Sequence, residues 1–124
     1  MSGCSCSDSL SIGETISWPI QLMDVDLNSL GGQFKAHLVD SFDQYVDSFS
    51  FQVLDQTVNR GKALMRLDTS PWLSDMRQNL AGTLIKFDLV YEMPNGQISV
   101  IAPAIYLTVE KSPTLSTLSG GGPL

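Results

Sequence analysis

Cys4 and Cys6 stand one residue apart in a Ser- and Gly-rich leader and are the chain's two cysteines. A Cys-x-Cys pair offers two soft ligands to a metal, but a tetrahedral site needs four, and the single histidine, His37, is a poor third. The pair therefore reads as inert, reduced thiols. Asp24, Asp26 and Asn28 match the first half of a calcium-binding helix–loop–helix loop. The match then fails, because the position that needs a turn-forming Gly is Ser29 and the position that needs a bidentate Glu is Lys35. Asp40, Asp43 and Asp47 read as a polar turn between strands. His37 has no Ser-centred motif beside it, and its neighbours Ala36 and Leu38 belong to the opposite strand face, so it reads as exposed filler rather than a general base. Gly13 and the Gly31-Gly32 pair mark turns, since no phosphate-loop pattern follows either. Trp18 and Trp72 read as core anchors before ligand platforms. The sequence thus nominates no catalytic, cofactor-binding or metal-ligating residue.

Composition narrows the classes further. The chain has 124 residues, is 43% hydrophobic and 16% charged, and carries a net charge of −6. That length suits one domain with a core of its own. Its seven basic residues are scattered rather than clustered, which argues against nucleic acid, where phosphate neutralisation needs grouped Lys and Arg. No apolar run reaches the ~18–20 residues that a membrane-spanning helix needs. The first residues lack the basic start and apolar stretch of a signal peptide. A protein made in a cytoplasm, with neither membrane nor nucleic-acid partner, is the expectation.

What must position any functional surface is a set of strands. Ile16, Trp18, Ile20 and Leu22 alternate with Ser17, Pro19 and Gln21 in a first strand, which Pro19 places at an edge or a bulge. Phe34, Ala36 and Leu38 mark a second strand, Phe49, Phe51 and Val53 a third, and Ala63, Met65 and Leu67 a fourth. A short helix then interrupts, with Ser70 as N-cap, Pro71 in the first position and Trp72, Leu73 and Met76 on one apolar side. Residues 1–11 and 112–124 have linker composition and read as flexible arms around a domain at 12–111. Evenly spaced strands with one short helix predict an all-β, antiparallel sandwich, a small barrel being the alternative.

The last two strands flank Met93-Pro94-Asn95-Gly96, a strong hairpin signal. A three-residue loop at 94–96 sets Leu89 against Ile101, Phe87 against Pro103 and Ile85 against Ile105, an apolar face that must be core. The predicted core is Trp18, Ile20, Phe34, Leu38, Phe51, Met65, Ile85, Phe87, Leu89, Ile101 and Leu107. On the other face Lys86 and Asp88 are accompanied by Leu84, Val90, Ile98, Val100 and Tyr106. Those five are the candidate assembly face, because monomers rarely expose such a contiguous apolar patch. Either other elements of the chain cover it or a partner does.

Several short elements occur in an order met elsewhere. Gly13-Glu14-Thr15 opens a strand ending at Asp24, Leu67 to Met76 holds a short helix after a strand, and Ala81-Gly82-Thr83 leads to Phe87-Asp88-Leu89. Asn95-Gly96 then forms a turn before Leu107 to Thr114. In this, residues 13–114 resemble small phage virion domains with an immunoglobulin-like β-sandwich, such as the N-terminal domains of baseplate upper proteins and tail or fibre-attachment proteins. Pro103-Ala104 departs from the Gly common there before the last strand. The resemblance implies a structural role in a virion, as a tail, baseplate, collar or fibre-attachment component, with other virion proteins and further copies of itself as partners. The alternative is a non-catalytic carbohydrate- or protein-binding β-sandwich module.

Overall fold

The computed structural model describes residues 3–4, 6 and 8–119. In chain order the strands are β1 (Gly3–Cys4), β2 (Ser9–Ile12), β3 (Thr15–Gln21), β4 (Gln33–Lys35), β5 (His37–Val39), β6 (Tyr45–Ser48), β7 (Ser50–Val53), β8 (Lys62–Asp68), β9 (Leu84–Glu92) and β10 (Ile98–Lys111). Helix α1 (Leu27–Leu30) follows β3, and α2 (Pro113–Ser119) follows β10. The strands form two sheets, one of four strands in the order β1-β3-β8-β7 and one of six in the order β2-β10-β9-β5-β6, with β4 also paired to β9. The fold is an all-β sandwich. All pairings are antiparallel except that of β2 with β10.

The alternation that predicts the strands also sets their inner faces. Trp18, Phe49 and Phe87 meet between the sheets, with ring centroids 4.9–6.0 Å apart. Phe34 packs edge-on against Tyr91 at 4.9 Å. Of the predicted core, Phe51 and Ile101 are only half-buried and the rest are buried. Pro19 is tolerated inside β3 for a readable reason. Leu22 N–H donates to Gly61 O at 2.7 Å, so the even-numbered residues of β3 bond β8, and position 19 faces the other way. On that side the described pairing with β1 is Gly3 with Gln21 and Cys4 with Ile20.

The ends and connections correct the sequence reading. Within the stretch read as an N-terminal arm, Ser9–Ile12 is a sheet strand with Leu10 and Ile12 buried, and Gly3–Cys4 pairs with β3. Pro113–Ser119 is helical rather than linker, with Ser112 Oγ accepting from Leu115 N–H at 3.2 Å. The predicted short helix resolves into two 3₁₀ turns, Ser70–Leu73 and Met76–Leu80. Ser70 does not cap the first turn, where Asp68 accepts from Ser70 N–H at 3.0 Å, and the second is capped by Asp75, which accepts from Arg77 N–H at 2.8 Å. The predicted second strand divides into β4 and β5. Phe51 and Val53 of the third lie in β7, whereas Phe49, whose N–H donates to Ala36 O at 3.0 Å, stands where the chain crosses from β6 to β7 between the sheets. Asp47, read as turn material, lies in β6. Cys4 and Cys6 are joined in a disulfide with their Cα atoms 5.3 Å apart, which replaces the expected reduced thiols.

Candidate assembly face

The β9–β10 hairpin positions all five candidate residues. Its turn closes as a three-residue loop: Met93 N–H donates to Gln97 O at 2.8 Å, and Gly96, at φ +86°, donates to Met93 O at 2.9 Å. From there the predicted register holds through Glu92 with Ile98 and Val90 with Val100. It then slips at two irregularities, one before Ala102 and one before Ile105, so that Phe87 pairs Ile105 and Ile85 pairs Leu107. This corrects the pairings expected for Leu89, Phe87 and Ile85. Pro103 lies within the second slip, between Ala102 and Ile105, where it has no N–H to give a ladder. Each slip of one residue reverses the face and the second restores it, so Leu107 still points inward.

The restored parity puts Leu84, Val90, Ile98, Val100 and Tyr106 on the outer face of the six-stranded sheet. Leu84 is 47% exposed, Ile98 57%, Val100 61% and Tyr106 53%, while Val90 is half-buried. They form two groups rather than one. Val90, Ile98 and Val100 sit near the turn, and Leu84 and Tyr106 at the far end, with Lys86, Asp88 and Ala104 between them. Sequence reasoning missed Tyr45, which pairs across from Val39 on the same sheet and meets the His37 ring edge-on at 5.6 Å. The alternation of His37, Leu38 and Val39 pointed to that surface, but β6 itself was read as a turn.

The charges on the face are partly spoken for. Lys86 Nζ pairs with Asp43 Oδ1 at 2.9 Å, and the hydrogen bond to Asp43 holds the ammonium above its usual pKa. Lys35 Nζ pairs with Glu92 Oε1 at 3.0 Å, and Lys35 and then Gln33 hold that carboxyl below its usual pKa. Asp88 is exposed and has no ion pair among the described residues. Beside it lies a hollow of about 270 Å³ lined by His37, Val39, Lys86, Phe87, Asp88 and Ala104.

The other polar groups serve the fold. Asp26 caps α1, its carboxylate accepting from Asn28 N–H at 2.9 Å and from the Ser29 hydroxyl at 3.2 Å. Asp24 instead pairs with Arg60 at 3.0 Å. No group of three His, Cys, Asp or Glu side chains suited to a metal occurs among the described residues. Arg77 is gripped by Asp75 at 2.6 Å and by Asp47 at 2.7 Å, and buried Trp72 donates its indole N–H to Asp47 at 2.9 Å. The Arg77 hydrogen bond holds the Asp75 carboxyl below its usual pKa. This cluster fastens the 3₁₀ turns over β6 and protects that edge strand. Among the described residues no helix is long and apolar enough to cross a membrane.

No protein-family model matches the chain, and no curated protein matches it either. Among solved structures it is similar to the crystal structure of CopC from Methylosinus trichosporium OB3b, with a TM-score of 0.49 and 11% identity over 90% of this chain and 95% of that one.

Proposed function

We propose that this chain is a non-catalytic structural component of a bacteriophage virion, in its tail, baseplate, collar or fibre attachment, and that it assembles through the outer face of its six-stranded sheet. The observation that carries the assembly reading is the exposure of Leu84, Ile98, Val100 and Tyr106 on one face of a folded sandwich. Apolar side chains grouped on one face mark a contact with something else. The virion assignment rests on the resemblance of residues 13–114 to small virion domains, carried by short elements in order from Gly13-Glu14-Thr15 to the stretch from Leu107 to Thr114. The carbohydrate-binding alternative draws less support, since Trp18 and Trp72, its natural stacking platforms, are both buried.

The test is Val100→Asp. Residue 100 points away from the core, so the variant folds with an unchanged circular dichroism spectrum. In an assembled contact the same change buries an unpaired carboxylate, which is costly. Its incorporation into particles, measured beside the parent chain, should be lost. Normal incorporation would remove this face from the interface and with it the assembly reading.

A further inference from the structure

We infer that the occupant of this face is a second copy of the same chain, related by a two-fold axis that crosses β9 at Phe87. The inference rests on the proposed use of the face for assembly and names the partner. Along β9 the outward positions read Leu84, Lys86, Asp88 and Val90, which is apolar, cation, anion, apolar. Turned end for end about Phe87, that series is its own complement. Lys86 of each copy lies over Asp88 of the other, and Leu84 over Val90. A two-fold interface requires this kind of self-complementarity, since every contact occurs twice.

The same rotation lays β10 over β10, with Val100 over Thr108 of the second copy away from the axis. Tyr106 pairs with Lys86, and Ala104 shares the hollow with Asp88. The rotation therefore sets Tyr106 over Ala104 of the second copy, a large side chain over a small one. The hollow of about 270 Å³ beside Ala104 receives the ring. Stacked sheets keep their strands within ~30° of each other, so groups next to the axis stay matched while the outer ones follow the twist. Asp88, which has no ion pair of its own among the described residues, gains one from Lys86 of the second copy.

Area agrees with this arrangement. Leu84, Ile98, Val100 and Tyr106, each about half exposed, together offer on the order of a few hundred Å². Val90, Ala104, Tyr45 and the charged pairs extend the contact toward the ~800 Å² per partner of a standard interface.

The experiment is sedimentation equilibrium on the parent chain, on Lys86→Glu and Asp88→Lys singly, and on the two variants mixed in equal amounts. The parent should be a dimer, each variant alone a monomer, and the mixture a one-to-one heterodimer, because reversing one charge in each copy restores every cross-pair. Tyr106→Ala should weaken the parent dimer by about tenfold or more, as for a ring seated in a pocket. A monomeric parent, or a mixture that stays monomeric, overturns the inference. Should Val100→Asp still lose its place in particles in that case, the face binds a different virion protein and the proposed function stands. Should Val100→Asp incorporate normally as well, both fall.

Discussion

The two outer faces of this sandwich are written with the same alternation and end up opposite in character. On the four-stranded sheet the outward positions of β3 are Thr15, Ser17, Pro19 and Gln21, and those of β8 are Lys62, Leu64, Arg66 and Asp68. On the six-stranded sheet the same alternation sets Leu84, Val90, Ile98, Val100 and Tyr106 toward solvent. Inward positions have no such freedom, because both sheets must fill one core at crystal-like density. Outward positions answer only to what lies on them. On the first face the side chains are mostly polar, Pro19 and Leu64 apart. The second face is composed as if covered, which is why it carries the functional argument.

The comparison breaks most visibly if the inward residues of the sheets are not equivalent. Phe87→Ala removes a ring that touches Trp18 and Phe49, and should cost ~3–5 kcal/mol in denaturant unfolding. Met65→Ala, fully buried in the other sheet, should cost ~2–5 kcal/mol. A loss below ~1 kcal/mol at either site, well under the range for a core truncation, would mean that one sheet is not packed as described. Smaller effects should come from polar pins such as Thr69 and Tyr91. Thr69 Oγ1 accepts from Gly13 N–H at 2.9 Å and donates to Glu14 O at 2.8 Å, at a fully buried side chain. Thr69→Val leaves both groups without that partner and should cost ~1–3 kcal/mol. Tyr91→Phe removes only the hydroxyl bonded to Gly32 N–H at 3.0 Å, at a half-buried glycine, and should cost ~1 kcal/mol or less. If Tyr91→Phe proves the costlier, the ranking of the pins is reversed.

Much of this architecture was legible because a period of two is hard to mistake over long strands such as β3, β8 and β9. The hairpin register was legible only from the turn to Val90 and Val100. Beyond that point a straight ladder is the natural reading, and nothing but Pro103 warns that two bulges intervene. The face survived the error because two slips cancel. Strand β2 was missed because Ser9–Ile12 offers just two apolar residues among serines, too few to separate a strand from an arm. Helix α2 was missed although Ser112-Pro113 repeats the Ser70-Pro71 start signal that was used earlier in the chain. Thr69, Arg77 and Gln56 are of another kind. Gln56 Oε1 accepts from Leu27 N–H at 3.0 Å and Gly61 N–H at 2.9 Å, and no local pattern shows that a glutamine will meet a residue so far away in the chain. The five candidate residues were legible as a face, interrupted by Lys86 and Asp88.

The finest difference between the faces lies in how each holds its carboxylate. Asp68, on the four-stranded sheet, has its pKa lowered first by the Ser70 backbone N–H and the Ser70 side chain, and then by the Thr15 hydroxyl. Glu92, on the six-stranded sheet, has its pKa lowered first by Lys35 and then by Gln33. The direction is the same, so both contribute stability that is complete above the ordinary carboxylate pKa of the unfolded chain. That contribution is lost as pH falls through the lowered folded value. The causes differ, since neutral donors hold Asp68 and an ammonium holds Glu92. Salt screens an exposed ion pair much more than a short hydrogen bond from a neutral donor. Titration of the two side-chain carboxyls by NMR, at low and at high ionic strength, should show Glu92 moving back toward its ordinary value while Asp68 stays lowered. Equal movement would mean that charge rather than local donors governs both faces, and the distinction between them at this level would disappear.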